Sequence, residues 1–478
     1  MKTVKIKSFI TKGIEAIPVE VSVSIADGIG IHLVGVQDIS VKEILLRTTT
    51  AMQSLGYSIP GRKIVIDIKA ADGKPVTCRA SNLDLPVAVG ILAASGQWKD
   101  SAEHLNDFAI VGELGLDGCV RPVASELTMA LASERIILPS ANAAYLAHKP
   151  GVEDRGKVYA ASNLNDVRVI IASPKDHDAL DIVSKRKGKA IQEDDADTAF
   201  IDGATNVRRA LLIAAAGGHD INLTVKSNRY LTRCLHSILP RMTEGQYIET
   251  EKVYEAKGQH LPDTVTPPLR EPAYISTLVT MVGGGANVEP GEVSLANNGL
   301  LILNDVAGWS KPMLETLRRV REDGYVKISR LNGTVQFPAN FLLAGATLPD
   351  EKFKEKAEGL FDISYAVGDF TISRTPVGTS SETLRKRVEK ARAIQAKRYA
   401  NEAFETNSCL KGETLDRYCD LSTAAKEFIK KIPAPPEFDN AGNVSRLKRV
   451  ARTIADLDDE KQVSQAHLLE ALNFIAMF

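Results

Sequence analysis

VGGGANVEPGEVSLANNGLLILNDV, residues 282–306, is the stretch on which the fold turns. Its second half, GLLILNDV from Gly299 to Val306, is a continuous apolar run that closes on polar residues. Such a run suits a strand buried on both faces of a parallel sheet, with its carboxyl end turned toward a ligand site. FLLAGAT from Phe341 is a second strand of the same kind. Upstream, NVRRALLIAAAGGHDINLTVKSNRYLTRCLHSILP from Asn206 to Pro240 runs helix, glycines, short apolar strand, helix, the order of a βα phosphate-loop unit. Between the two buried strands, YVKIS from Tyr325 and TVQF from Thr334 flank the turn-bearing RLNG, which predicts a hairpin with Lys327 and Arg330 pointing outward.

Outward from this centre the chain divides by pattern. The first part alternates apolar and polar residues over Val4–Phe9, Val19–Ile25 and KIVIDIKAAD from Lys63, which predicts strands. VKEILLRTTTAMQSLG from Val41 and LPVAVGILAASG from Leu85 carry helical spacing and stop at Gly56 and Gly96. SKRKGKAIQEDDAD, residues 184–197, is basic, then acidic, with few apolar positions, and predicts a solvated connector. Beyond Thr379 the pattern is helical: SSETLRKRVEKARAIQAKRY, STAAKEFIKK, and VSRLKRVARTIADLDDEKQVSQAHLLEALNFI, interrupted by the proline-rich IPAPPEF. In the last stretch Leu447, Val450, Ala451, Ile454 and Leu457 share one face, the mark of core packing. The expected division is 1–175, a connector at 176–197, 198–375, and 376–478.

Composition bounds the chemistry. The 478 residues, at about 150 per domain, suggest about three domains, and 44% hydrophobic with 25% charged residues excludes a disordered chain. Lys and Arg number 59 against 60 Asp and Glu, so any nucleic-acid contact must come from a local basic patch. Five cysteines without a CxxC pair, and histidines without HExxH, give no local support for a protein-held metal. The sparse cysteines, the absence of an 18-residue apolar run and the opening MKTVKIKSFITKG together predict a cytoplasmic protein with no membrane partner.

Four blocks share a resemblance: LVGVQDISVKE at Leu33, DLPVAVGILAASG at Asp84, the 282–306 stretch, and RVARTIADLD at Arg449. Together they resemble the ComM or YifB family, which is similar to magnesium-chelatase subunits. The resemblance implies an α/β multidomain fold: an N-terminal α+β domain like the Lon protease domain (ribosomal S5 domain 2-like), an AAA+ (P-loop NTPase-like) α/β core, and a helical C-terminal lid. It also implies ATP and Mg2+ as ligands, assembly with itself or a paralogue in a ring, and work on branched DNA.

The residues at the matching positions depart from that pattern. A phosphate loop needs G-x-x-x-x-G-K-[ST], so that backbone N–H groups curl around the phosphates, the Lys meets β and γ, and the hydroxyl holds magnesium. Here Gly217, Gly218 and His219 are kept, but no glycine lies between His219 and Pro240. Asn228 falls at the Lys and Arg229 at the Thr, with Lys226 and Ser227 beside them. Asn304 stands at the magnesium-coordinating Asp and Asp305 at the catalytic Glu. Leu348 is nearest the γ-phosphate sensor, Gly359 and Leu360 replace the Asp-Arg pair of a trans-acting arginine finger, and Arg446 alone survives as the lid arginine. Charge-assisted hydrogen bonds contribute about 1.5 to 3 kcal/mol each, so losing two or three costs roughly 10³-fold in affinity.

The remaining candidates for nucleotide contact are therefore Gly217, Gly218, His219, Lys226, Ser227, Asn228, Arg229 and Arg446, with Lys327 and Arg330 the candidates for DNA. No metal ligand is predicted, and ATP and Mg2+ rest on the resemblance alone. A Lon-type Ser/Lys dyad is also missing, because Leu127 occupies the Lys position and Asn82 or Leu83 the nucleophile, with Ser81 only a neighbour. The expected function is a non-hydrolysing ring subunit or scaffold in DNA processing, not a peptidase. An active ATP-dependent branch-migration motor and a metal-chelatase-type subunit are the alternatives.

Overall fold

A computed structural model describes residues 3–173 and 196–475, except 77–79, 99–102, 148, 150–156, 204, 226–228, 263, 331–332, 349–358 and 432–440. Most of the charged connector and the IPAPPEF segment therefore lie outside the described residues.

The amino-terminal part is a sheet-and-helix unit. Strands β1 (Thr3–Lys12) and β2 (Glu15–Ala26) pair antiparallel along their whole length, Thr3 opposite Ser24 and Lys12 opposite Glu15. Their two-residue turn begins at Gly13, whose φ of 62° is the left-handed geometry a tight hairpin asks for. With β3 (Ile31–Val34), β4 (Lys63–Ala70), β5 (Ala109–Ile110), β6 (Arg135–Pro139) and β7 (Lys157–Ala161) they form one mixed seven-stranded sheet, ordered β3-β4-β2-β1-β5-β6-β7. Helix α1 (Asp38–Ser54) packs on α2 (Asp84–Ala94), and α2 lies across β1 and β2, buried from Asp84 through Ala93. The predicted stops at Gly56 and Gly96 are positive-φ residues just past those helices.

The central part carries a five-stranded, all-parallel sheet. In chain order it comprises α3 (Thr205–Gly217), β8 (Ile221–Thr224), α4 (Arg229–Ser237), α5 (Glu244–Ala256), β9 (Leu269–Arg270), β10 (Leu300–Asn304), α6 (Lys311–Asp323), the hairpin β11 (Tyr325–Arg330) and β12 (Gly333–Pro338), β13 (Leu342–Thr347), and β14 (Ile363–Ala366). The sheet order is β9-β10-β13-β8-β14, every neighbour parallel. Leu300 to Leu303 are wholly buried, as a strand covered on both faces requires. This parallel core and the helical region after it fit the expected magnesium-chelatase-like AAA+ fold.

That helical region contains α7 (Ser381–Arg398), α8 (Thr423–Lys431), α9 (Ala441–Leu457) and α10 (Gln465–Leu472). Its core is continuous with that of the central part: Leu447, Val450, Ala451 and Ile454 of α9 sit in the same apolar cluster as Leu211 and Ala215 of α3 and Ile221 of β8. The long carboxyl-terminal helical pattern is cut in two. Asp459 takes a φ of 63°, and Ser464 restarts the helix by accepting the His467 N–H at 3.4 Å.

Candidate functional site

Register places the sheet's carboxyl edge. Thr224 pairs with Thr347 and Asn304 with Ala346, so β8, β10 and β13 end side by side. From β8 the chain reaches α4 in four residues, 225–228, of which Lys226, Ser227 and Asn228 lie outside the described residues. The first residue of α4 is Arg229, and its Nε donates to Glu271 Oε1 at 2.8 Å. Asn304 Nδ2 donates to the same oxygen at 2.6 Å, and an Arg233 nitrogen lies 3.9 Å from the other.

Glu271, just past the end of β9, thus gathers what sequence reasoning assigned to phosphate and magnesium. Its side chain is 15% exposed while that of Arg229 is 74% exposed. A carboxylate here opposes a polyphosphate and already engages the arginine nearest to it. Asp305 follows in a left-handed conformation, φ 48°, exposed at the start of a short 3-10 turn. Thr347 Oγ1 donates to the buried Asn222 Oδ1 at 2.9 Å, and Leu348 beyond it is exposed.

The opposite, amino edge holds the other half of the sequence-predicted set. His219 and Asp220 precede β8, and Asp362 precedes β14. His219 Nδ1 lies 3.0 Å from Asp362 Oδ2, and its Nε2 lies 2.8 Å from Thr453 Oγ1 in α9. Arg449 donates to Asp362 Oδ1 at 2.7 Å, and Arg446 Nε stands 4.0 Å from that oxygen. Burial alone would raise the Asp362 carboxyl, but the Arg449 guanidinium and His219 overcome it and hold the group well below the usual carboxylate range. Beside it, burial pushes Asp220 up despite Arg321 Nε at 2.9 Å.

The glycines serve this junction. A Cβ on Gly217 would lie 2.3 Å from His219 Nε2 and 2.4 Å from Thr453 Oγ1. Carbonyls ending α3 are capped from α7: Arg392 Nη2 donates to Ala215 O at 2.8 Å and Gln395 Nε2 to Ala216 O at 2.9 Å. The structure therefore divides the predicted residues. Gly217, Gly218, His219 and Arg446 gather at the amino edge, Arg229, Asn304 and Asp305 at the carboxyl edge, and β8 separates the groups by about 10 Å at roughly 3.3 Å per residue.

Lys327 and Arg330 are exposed on β11, opposite Gln336 and Gly333. The hairpin packs against the β1–β2 turn: a Cβ on Gly13 would lie 2.5 Å from Val335 Cγ1. The same test at Gly333 meets Lys12 Nζ at 2.6 Å and Lys74 Nζ at 3.2 Å, so the amino-terminal part brings two further cations to the hairpin.

A buried polar seam joins the amino-terminal part to α5. Glu255 Oε1 accepts the Leu127 N–H at 2.7 Å, and Oε2 accepts the Thr128 N–H and hydroxyl at 3.1 and 3.0 Å. Glu251 accepts the Leu261 N–H at 2.9 Å and the Tyr145 hydroxyl. Lys149 Nζ, wholly buried, donates to Tyr247 Oη at 2.9 Å and Leu261 O at 3.0 Å. Burial, with the Glu126 carboxylate beside it, pushes Glu255 up to about 8. Leu127 is thus a seam residue, and Asn82 and Leu83 are buried just ahead of α2. None of these seam carboxylates was found from sequence, which offers no local spacing that joins residues 126–128 to 251–261.

Comparison with known proteins covers almost the whole chain. Residues 197–356 match the family described as magnesium chelatase, subunit ChlI, residues 378–474 its C-terminal family, and residues 19–142 the family described as subunit ChlI of Mg-chelatase. Competence protein ComM of Haemophilus influenzae is 31% identical, over 97% of this chain and 96% of its own length. Proteins named YifB from Salmonella typhimurium and Escherichia coli are 29% and 28% identical, each over 97% of this chain and 95% of its own length.

Proposed function

We propose that this chain, which belongs to the ComM and YifB family of magnesium chelatase-like proteins, is a non-hydrolysing ring subunit or scaffold in DNA processing. The observation that carries the proposal is the Arg229–Glu271–Asn304 cluster, which fills the carboxyl edge with an internal ion pair and an amide where phosphate and magnesium would be held. The four-residue connection from β8 to α4 has no glycine to form an anion-binding nest, which supports the same reading.

In this reading the motor's shape is kept and its chemistry is lost. The chain assembles with itself or a paralogue in a cytoplasmic ring, and no helix among the described residues is long and apolar enough to cross a membrane. The amino-terminal sheet unit is a Lon-like domain without peptidase activity. DNA is met at Lys327 and Arg330, supported by Lys12 and Lys74 beside the hairpin tip.

Calorimetric titration of the full chain with ATP and Mg2+ tests the proposal, together with a steady-state hydrolysis assay with and without forked DNA. No binding heat and no turnover are expected. Turnover that Asp305→Asn abolishes would replace the scaffold reading with that of an active motor.

A further inference from the structure

We propose that Glu126, Glu255 and His260 form a binding site for one divalent transition-metal ion of the zinc or cobalt type, joining the amino-terminal part of the chain to the parallel-sheet core. One ligand atom from each of the three lies within 4.8 Å of the others, and His260 Nε2 stands 3.8 Å from Glu126 Oε1. A tetrahedral ion with bonds of about 2.1 Å holds its ligand atoms about 3.4 Å apart, so side-chain adjustments of at most about 1.4 Å close the set.

An independent sign of a missing ligand is Glu126 Oε2. The residue is 2% exposed, yet this oxygen has no hydrogen-bond partner among the described residues. A buried carboxylate oxygen left without a donor is costly, and a cation supplies what it lacks.

His260 is set up to ligate. Its Nδ1 lies 3.2 Å from Glu251 Oε1, and a proton donated there turns the lone pair of Nε2 toward the two carboxylates, the arrangement that orients metal-bound imidazoles. The ring lies against Tyr145, with centroids 4.1 Å apart and planes tilted by 41°, which restrains its orientation. Glu251 in turn is held by Leu261 N–H, the Tyr145 hydroxyl and the Lys149 ammonium 3.9 Å away. His260 is itself exposed, so the cluster meets solvent on the side of its ring.

One imidazole nitrogen with two carboxylate oxygens favours the zinc-like metals, whereas Mg2+ and Ca2+ prefer oxygen alone. Glu126 comes from the amino-terminal part and the other two from α5 and the turn after it, so the bound ion is a clasp between them. The three share no hydrogen-bond partner with the Arg229, Glu271 and Asn304 cluster of the carboxyl edge.

The test is calorimetric titration of the metal-free full chain with Zn2+, and the visible absorption spectrum with Co2+. One ion per chain and the intense absorption of four-coordinate Co2+ are expected, with no comparable uptake of Mg2+. Glu126→Gln and His260→Gln should each weaken Zn2+ binding by more than about 100-fold, and Glu251→Gln by about 10- to 100-fold, the range of outer-shell partners. Because Cys119 and Cys409 are exposed thiols, a chain with both changed to Ser should bind Zn2+ as the parent does. Absence of binding, parent-like affinity in both Glu126→Gln and His260→Gln, or loss of binding in the cysteine variant would each overturn the proposal. His260→Gln, at an exposed position, keeps the test decisive should Glu126→Gln fail to fold.

Discussion

The two edges of the parallel sheet differ in what their charges do. At the amino edge Asp362 joins His219, Arg449 and Arg446 in a part-buried network that ties α9 to the core. At the carboxyl edge Arg229 and Asn304 share Glu271 at the rim of the sheet, where the arginine is three-quarters exposed to water. Buried pairs cost far more to break than exposed ones because water cannot take the place of the absent partner. The amino-edge charges tie elements together where water is largely excluded, whereas the carboxyl-edge charges pair at a rim that faces solvent.

The contrast can be broken at its strongest point first. Asp362→Ala leaves Arg449 and Arg446 without their shared carboxylate and should cost about 3–5 kcal/mol, measured by urea unfolding; a loss below about 1 kcal/mol would put the amino edge on a par with the surface. The same residue sets an acid limit. Its folded carboxyl lies below the ordinary value of 3.8, so its contribution is fully present above that value and fades as pH falls below it. Asp362→Asn should lose this part of the acid sensitivity in melts taken on either side of pH 3.8.

Gly217→Ala comes next in size. Its methyl would sit 2.3 to 2.4 Å from His219 and Thr453, so crowding of about 1–3 kcal/mol is expected in the same unfolding assay. At the carboxyl edge Glu271→Gln should cost no more than about 1 kcal/mol, since its main partner is exposed. A larger loss would make that edge structural as well and erase the difference.

The smallest stability effect belongs to Lys327→Ala with Arg330→Ala, within about 0.5 kcal/mol as for other exposed changes. Their expected consequence is in binding. Fluorescence anisotropy with single-stranded and forked DNA at two salt concentrations should show weaker binding by the double variant, with a log-log salt slope shallower by roughly 0.7 for each phosphate that is no longer neutralised. Identical affinity and slope would leave the hairpin as solvated surface.

Much of the fold was legible because its signals are local. Leu300 to Leu303 are apolar in succession because a parallel strand is covered on both faces. Residues 325–330 and 333–338 alternate and pair as the two strands of the hairpin, and Leu447, Val450, Ala451 and Ile454 recur at helical spacing and are all buried. The site was legible only in part. Gly217, Gly218 and His219 were expected among the nucleotide contacts, and they stand at the other end of β8, where Gly217 leaves the room that the His219 ring and Thr453 of α9 occupy. Glu271 had no signal at all, since a glutamate after a two-residue strand looks like any solvated residue.

By itself, the sequence determined the parallel core, the hairpin, the helical ending and the absence of a glycine-lysine phosphate loop, because each is written in residues adjacent along the chain or one turn apart. Only the tertiary structure decided which charges meet. Arg229 and Asn304 converge on Glu271, Arg449 and His219 on Asp362, and Glu126 and His260 on the α5 seam. Those partners stand between 33 and 143 residues apart, and a carboxylate's partner is set by the packing of whole elements, which no local period encodes.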